Sequence, residues 1–212
     1  MSVLPYVSPA LRLSCKVAVV GSSGALTGAN LGENIDSHEE VVRFNRAPTL
    51  GYENDVGAKV TLRVVNNHVF DNMEISSAGY SNSPKDFVKN LRNSNILYIG
   101  PPSAPWERRH QNTHKSNQLF KFDYSCISNL KNTLNCNFGQ NLLIGTIFIA
   151  LCIEAGIVPT IFGFDLAPTP RTHYWQSRPT EVNNNNHNPW EEQNILKSLI
   201  KQSLIKIENK ID

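Results

Sequence analysis

Two histidines near the C-terminus are the residues of this chain best suited to proton chemistry. His173 opens a short aromatic stretch (173–176), and His187 directly precedes the stretch 188–192, with an asparagine tract between the two histidines. Imidazole has an ordinary pKa of about 6.5, so at neutral pH it can accept a proton or donate a hydrogen bond. A lone histidine is more often a surface or core residue. The histidines alone therefore do not indicate a function, and other polar segments of the chain are needed to assign them a role.

A turn of glycine and serine is the second segment that could bind a reactant. Gly21-Ser22-Ser23-Gly24 directly follows the apolar run Lys16–Val20. Backbone amides in such a turn can cradle a phosphate or nucleotide, and the serines add hydroxyl groups. The same turn, taken alone, is equally compatible with a strand end that binds nothing.

Alternating strands and helices are predicted to position these segments. Apolar, β-branched runs predict buried strands at 16–20, 41–44, 60–65, 96–99, 119–122 and 160–164. Helical patterns are found at 85–92, 125–134, 142–154 and 189–207, the last with Asn188 as its N-cap. This order predicts an α/β fold: a Rossmann-like three-layer α/β/α sandwich with a largely parallel twisted sheet. Ligands bind such sheets beyond the carboxyl ends of the strands, where the Gly21 turn, Asn45, Asn66 and Gly163 fall.

Composition limits the classes of function. A chain of 212 residues with 40% apolar residues can form one good core, so we expect a single domain over 1–212. A net charge of +2 is too mild to indicate a nucleic-acid partner. No apolar run approaches the roughly 20 residues that cross a bilayer, so we expect no integral membrane segment and, if the chain is complete, a soluble cytoplasmic protein. The four cysteines lack zinc-site spacing and allow three disulfide connectivities that the sequence cannot choose between; we expect buried free thiols.

The residues that follow the Gly21 turn resemble the donor-binding sialylmotif L of the eukaryotic-type sialyltransferases, glycosyltransferase family 29. Asp36, Arg43-Phe44-Asn45, Pro48, Asp55-Val56-Gly57 and Lys59 keep the order and spacing of that motif. The resemblance implies that Gly21, Ser22, Ser23, Asn45 and Asn66 contact the CMP half of CMP-sialic acid. Asp36 and Arg43 are compatible either with ligand contact or with a buried ion pair that holds the loop, and we interpret them as scaffold.

Three further segments resemble family motifs. Residues 138–152 with 161–165 resemble sialylmotif S, although Gly139-Gln140-Asn141 replaces the usual Ser/Thr-Ser/Thr-Gly group. Amides of Gln140 and Asn141 can still donate to a carboxylate at a helix N-terminus. The resemblance thus implies that Gly139, Gln140, Asn141 and Gly163 contact the donor. Cys152 matches one half of the family's disulfide, but the other half falls at Val17, two residues from Cys15, so we expect no bridge.

The two histidine segments complete the resemblance. Residues 173–175 resemble motif III, and His187 with Glu192 resembles motif VS. These matches imply His187 as the general base for an acceptor hydroxyl and His173, helped by Tyr174, as the group that stabilises the leaving phosphate. Glu192 is assigned a supporting role in orienting the loop or the helix start, since acids in a first helical turn are favoured whatever the function.

The resemblance as a whole implies a glycosyltransferase with a variant GT-A type fold. It would transfer sialic acid, or a related acidic keto-sugar, from a CMP-activated donor to a glycan hydroxyl, with inversion and without a cofactor or metal. The sequence contains no Asp-x-Asp of the kind that holds a metal in many nucleotide-sugar transferases. Two alternatives stay open: a catalytically inactive nucleotide- or glycan-binding protein on the same scaffold, and a transferase for another sugar nucleotide.

Overall fold

Ten strands are found in the part of the chain that the structure describes. This structure is a computed structural model, and it describes residues 1–67, 69, 94–100, 119–136, 142–166, 173–176 and 188–208. The strands are β1 (Ser2–Val3), β2 (Val7–Ser8), β3 (Arg12–Leu13), β4 (Val17–Val20), β5 (Glu40–Phe44), β6 (Leu62–Val65), β7 (Asn95–Tyr98), β8 (Leu119–Phe122), β9 (Thr160–Phe162) and β10 (Lys206–Glu208).

Eight of these strands form one sheet, in the order β10-β9-β4-β5-β6-β7-β8-β2, while β1 pairs with β3. The pairs from β10 to β8 are parallel, and β2 joins the edge at β8 antiparallel. The chain builds outward from β4 to β8 and then returns to place β9 on the other side of β4. The strand order therefore reverses between β4 and β9, and such a reversal opens a crevice at the carboxyl ends of the two strands.

Five α-helices are found among the described residues: α1 (Gly32–Asp36), α2 (Glu53–Val56), α3 (Ile127–Thr133), α4 (Ile144–Glu154) and α5 (Pro189–Lys201). Single 3₁₀ turns occupy Gly24–Leu26 and Tyr124–Cys126. Helix α4 is buried from Gly145 to Cys152, because its sequence is apolar on all sides. Helix α5 begins as predicted, with the Asn188 Oδ1 accepting from the backbone N–H of Glu191 at 3.3 Å and Pro189 in the first turn.

The sheet is the middle of three layers. Successive residues of β4 point to opposite faces, so that Val17 and Val19 belong to the core that contains α4 and α5. Ala18 and Val20 belong to a second core on the other face, with residues of α1 and α2. Both faces are covered, as expected for a parallel sheet. The predicted α/β/α architecture is therefore confirmed.

The predicted elements agree with the structure except near the C-terminus, and β1, β2, β3, α1 and α2 form where the sequence predicts no element. All six predicted strands form, each within two residues of its expected bounds. The last helix forms, but its predicted end at about Ile207 is wrong, because α5 ends at Lys201 and Ser203 adopts a left-handed φ of 59°. The chain then forms β10 beside β9. The helix predicted at 85–92 lies outside the described residues.

The four cysteines are unpaired. Cys136 and Cys152 are buried, but Cys15 is exposed and Cys126 is half-buried, so the expectation of buried thiols is wrong for these two. Within the described ranges, no helix has the length and apolar character needed to cross a membrane.

Candidate functional site

The glycine turn after β4 is packed directly against the turn after β9. The Gly21 N–H donates to the Phe162 carbonyl at 2.8 Å, and the Ser23 N–H donates to the Gly163 carbonyl at 3.0 Å. A Cβ atom on Gly21 would lie only 2.3 Å from the Gly163 oxygen, so no larger residue fits. Gly163 itself has a φ of 63°, in the left-handed region that favours glycine. The two turns thus lie side by side, joined by hydrogen bonds, at the point where the strand order reverses.

The two serines of the glycine turn have different surroundings. Ser23 is buried; its hydroxyl donates to Asp165 and accepts from the Ala25 N–H at 3.0 Å. These contacts commit the Ser23 hydroxyl largely to the protein. Ser22 is only half-buried. Of the two predicted donor contacts, Ser22 is therefore the more accessible side chain, and Ser23 shapes the turn.

Asn45 and Asn66 lie at the ends of the next two strands and are linked to each other. Asn45 has a left-handed φ of 46°, and its side-chain Oδ1 accepts from the Asn66 N–H at 3.1 Å. The Oδ1 of Asn66 in turn accepts from the Val69 N–H at 2.9 Å. Both side-chain oxygens thus accept hydrogen bonds from backbone N–H groups at the carboxyl end of β6. The Nδ2 groups are the ends of these side chains suited to donate to a bound nucleotide.

The segment 173–176 lies on the glycine turn. The Tyr174 N–H donates to the Ser22 carbonyl at 3.1 Å, and the Tyr174 hydroxyl donates to the Pro48 carbonyl. The side chain is 3% exposed, and its ring packs edge-on against Tyr52 with centroids 5.3 Å apart. Burial raises the pKa of Tyr174 to about 12, against the opposing effect of two nearby arginines. The Tyr174 hydroxyl is thus bonded within the protein, and the residue connects the glycine turn to the turn after β5.

His173 is carried to the glycine turn by this docking of Tyr174. Its ring stacks on Trp175 with centroids 4.5 Å apart and an interplanar angle of 13°. The backbone N–H of His173 donates to the Gln176 Oε1 at 3.0 Å. Burial lowers the pKa of His173, and the backbone of Ser22 opposes that effect. The Nδ1 atom is buried and has no hydrogen-bond partner among the described residues. A neutral imidazole therefore lies beside the turn that could hold a nucleotide.

Asp36 and Arg43 form the scaffold that we predicted behind this edge. The carboxylate of Asp36 accepts from the N–H groups of Ala58 at 2.8 Å and Lys59 at 3.0 Å. Arg43 is buried, lies 3.9 Å from Asp36 and donates to the Val56 and Lys59 carbonyls. Its desolvation lowers the pKa to about 10, which leaves it charged at neutral pH. These contacts support the interpretation of the pair as scaffold.

Contacts through the core connect the start of α5 to the glycine turn. Glu192 is 3% exposed; it accepts from the Leu143 N–H at 2.8 Å and from the Thr146 hydroxyl, so it holds the N-terminus of α4. The ring of Phe164 lies against both α4 and the glycine turn: a Cβ atom would approach it to 3.0 Å on Gly145 and to 3.1 Å on Gly21. Glu192 therefore fixes two helix starts relative to the site, in keeping with its supporting role.

Four of the predicted site residues, Gly139, Gln140, Asn141 and His187, lie outside the described residues. Within the described part of the chain, no cluster of three His, Cys, Asp or Glu side chains is arranged to hold a metal ion.

The Tyr174→Phe variant should be destabilised by about 1–3 kcal/mol, because it leaves the buried Pro48 carbonyl without this donor. Tyr52→Phe is the matched control: this half-buried ring packs on Tyr174, and we expect its change to stay within about 0.5 kcal/mol. Urea unfolding of both variants measures the difference. Equal midpoints and slopes for the two would show that the Tyr174 hydroxyl contributes nothing.

These features define a class of protein: a doubly wound α/β protein with a candidate nucleotide site at its strand reversal. The chain belongs to glycosyltransferase family 29 (sialyltransferase), whose family model matches residues 7–204.

Individual relatives are similar over shorter stretches. The chain is 56% identical over 55 residues to beta-galactoside alpha-2,6-sialyltransferase 2 of Bos taurus, a match that covers 26% of this chain and 11% of the bovine protein. The same enzyme of Homo sapiens matches at 56% over 55 residues, covering 26% of this chain and 10% of the human protein. The match thus spans about a tenth of the length of these curated relatives.

A solved structure extends the likeness to most of the chain. A mammalian sialyltransferase in complex with Gal-beta-1-3GalNAc-ortho-nitrophenol superposes with a TM-score of 0.68 at 21% identity, over 94% of this chain and 71% of the mammalian one. This likeness establishes the fold.

Proposed function

We propose that the chain transfers sialic acid, or a related acidic keto-sugar, from a CMP-activated donor to a glycan hydroxyl, with inversion and without a metal or cofactor. Family membership supports sialyl transfer. The single observation that carries the proposal is the hydrogen bond from the Tyr174 N–H to the Ser22 carbonyl, which brings His173 onto the glycine turn. The proposed partners are therefore a nucleotide-sugar donor and a glycan acceptor.

In the proposed mechanism, the glycine turn with Ser22, Asn45 and Asn66 holds the cytidylate. The bond between the anomeric carbon and the phosphate oxygen breaks, and its electron pair stays on the CMP phosphate. His173 donates a hydrogen bond to this developing charge from a partly desolvated position, where such a bond is stronger than in water. This role suits a neutral imidazole with one N–H.

The new bond forms on the opposite face of the sugar, which inverts the anomeric centre. The acceptor hydroxyl attacks the anomeric carbon and passes its proton to the imidazole of His187. A galactose-terminated glycan is the proposed acceptor, because the curated relatives are named for beta-galactosides and the solved relative is complexed with a galactose-containing disaccharide.

Turnover with purified protein tests the proposal. Incubation with CMP-sialic acid and a galactose-terminated disaccharide should release CMP and form a sialylated product, and EDTA should leave the rate unchanged. CMP should also stabilise the fold by about 2.7 kcal/mol at a hundred times its Kd, measured by thermal shift.

Two outcomes would replace the proposal by an alternative. Binding of CMP without product across a broad acceptor panel would indicate a binding protein, for which Gly139-Gln140-Asn141 in sialylmotif S is the favouring observation. Stabilisation by UDP or GDP, but not CMP, would indicate a transferase for another sugar nucleotide.

A further inference from the structure

Arg63 is a buried cation directly behind the proposed donor site. It lies on β6, is 1% exposed, and its Nη1 donates to the carbonyls of Ala47 at 2.9 Å and Asn45 at 3.3 Å. Desolvation and the neighbouring Arg43 lower its pKa to about 9, so it stays charged at neutral pH. Burying a guanidinium costs free energy, because the group loses its hydration and hydrogen bonds within the protein must replace it. Among the described residues, the hydrogen bonds of its side chain are made to a single turn, 45–48.

That turn needs to be held in place. Asn45 has a φ of 46°, a conformation that residues other than glycine adopt at a cost and keep when the surroundings impose it. Backbone bonds fix part of the turn, since the Ala47 N–H donates to the Phe44 carbonyl at 3.1 Å. Three side-chain contacts hold its other carbonyls: Arg63 donates to those of Asn45 and Ala47, and Tyr174 donates to that of Pro48. The conformation of Asn45 decides where its side chain points, and that side chain also binds the Asn66 N–H at 3.1 Å.

We propose that Arg63 is a positioning residue for the nucleotide donor. Its guanidinium holds the backbone of turn 45–48 so that the Asn45 and Asn66 side chains are set for the cytidylate before it binds. This inference rests on the proposed function, because it takes CMP as the ligand of that edge. Arg63 does not touch the donor; it acts through Asn45.

The variants that separate positioning from folding are Arg63→Met and Arg63→Lys, with Arg43→Lys as the matched control. Arg43 is the register partner of Arg63 on β5 and is equally buried, but it donates to the Val56 and Lys59 carbonyls, away from turn 45–48. Arg63→Met removes the contacts to the turn. Arg63→Lys keeps the charge and can still reach one carbonyl, so it should recover part of the loss.

Two measurements, made below the unfolding transition of every variant, test the inference. Amide hydrogen exchange should become at least about 10-fold faster at Asn45 and Asn66 in Arg63→Met and stay within about 2-fold in Arg43→Lys. The Kd of CMP and the donor KM should rise about 10-fold in Arg63→Met while kcat changes little, with a smaller rise in Arg63→Lys. Loss of folded protein alone would lower the apparent kcat and leave KM unchanged.

Three results would overturn the inference. One is unchanged amide exchange at Asn45 and Asn66 in Arg63→Met. Another is an equal rise in the Kd of CMP for Arg43→Lys and Arg63→Met. If the wild-type protein does not bind CMP, the proposed function itself fails and the donor role of Arg63 fails with it. Faster exchange confined to Arg63→Met would then show that the mechanical link to Asn45 exists without that ligand.

Discussion

Sialyl transfer by the His187→Ala variant is expected to fall about 10²- to 10⁴-fold, the loss typical of removing a general base. The described residues that follow His187 in the sequence are linked to the glycine turn by a series of contacts. Asn188, the next residue, caps α5, and Glu192 in the same first turn holds the start of α4. Phe164 then joins α4 to the glycine turn. The measurement is the initial rate of product formation with CMP-sialic acid and the disaccharide acceptor.

The matched control for this prediction is His38→Ala. His38 precedes β5, so it lies at the amino end of a strand whose carboxyl end faces the site; its Nδ1 is 3.0 Å from the Asn34 carbonyl. We expect its transfer rate to stay within about 3-fold of the wild type, because it cannot reach either reactant. A His187→Ala rate as high as that of His38→Ala would rule out His187 as the base.

The second large effect is expected at His173, where removal of the hydrogen-bond donor should lower kcat about 10²- to 10³-fold in His173→Ala. Glutamine can still present an N–H, so His173→Gln should lose less activity than His173→Ala. Donor KM should change less than kcat in both variants, because in the proposed mechanism this hydrogen bond is made to charge that develops only as the leaving group departs. Equal losses in both variants, or a loss confined to KM, would contradict a role in the transition state.

The lowered pKa of His173 adds a second readout to the same variants. Burial keeps the folded-state pKa below the unfolded value of about 6.5, so the unfolded chain binds more protons in that range. The stability linked to the neutral ring is therefore fully present above pH 6.5 and is lost as the pH falls through the folded pKa. His173→Gln should lack this part of the acid destabilisation. Urea midpoints between pH 7 and pH 5 measure it.

The sheet and its glycine turn could be predicted because their signals are local. Each strand is a short run of β-branched residues buried on both faces, and the Gly21 turn directly follows one of them. The C-terminal end could not be predicted in the same way. Leu204 and Ile207 continue the helical spacing of α5, but Ser203 turns the chain and the packing of β10 against β9 decides the structure.

The parts of the site that depend on long-range contacts could not be predicted from single positions. The sequence does not indicate a role for the Asp165 carboxylate, since its partner Ser23 lies 142 residues away. Tyr174 matches an aromatic motif, but its sequence does not show that the hydroxyl binds Pro48. Arg63 could have been noticed in the sequence. An arginine inside a strand that is buried on both faces is unusual, and its N–H groups need hydrogen-bond acceptors within the protein.

The separation of Ser23 from Asp165 also bears on the order in which the protein acquires its structure during synthesis. The ribosome releases the glycine turn long before β9 and the aromatic segment that complete it. Contacts between residues that lie so far apart in the sequence form slowly and late in folding. In a nascent chain the glycine turn is therefore without these partners until residues 160–176 have been made, and a ligand that needs both turns can stabilise only molecules in which the two have packed together.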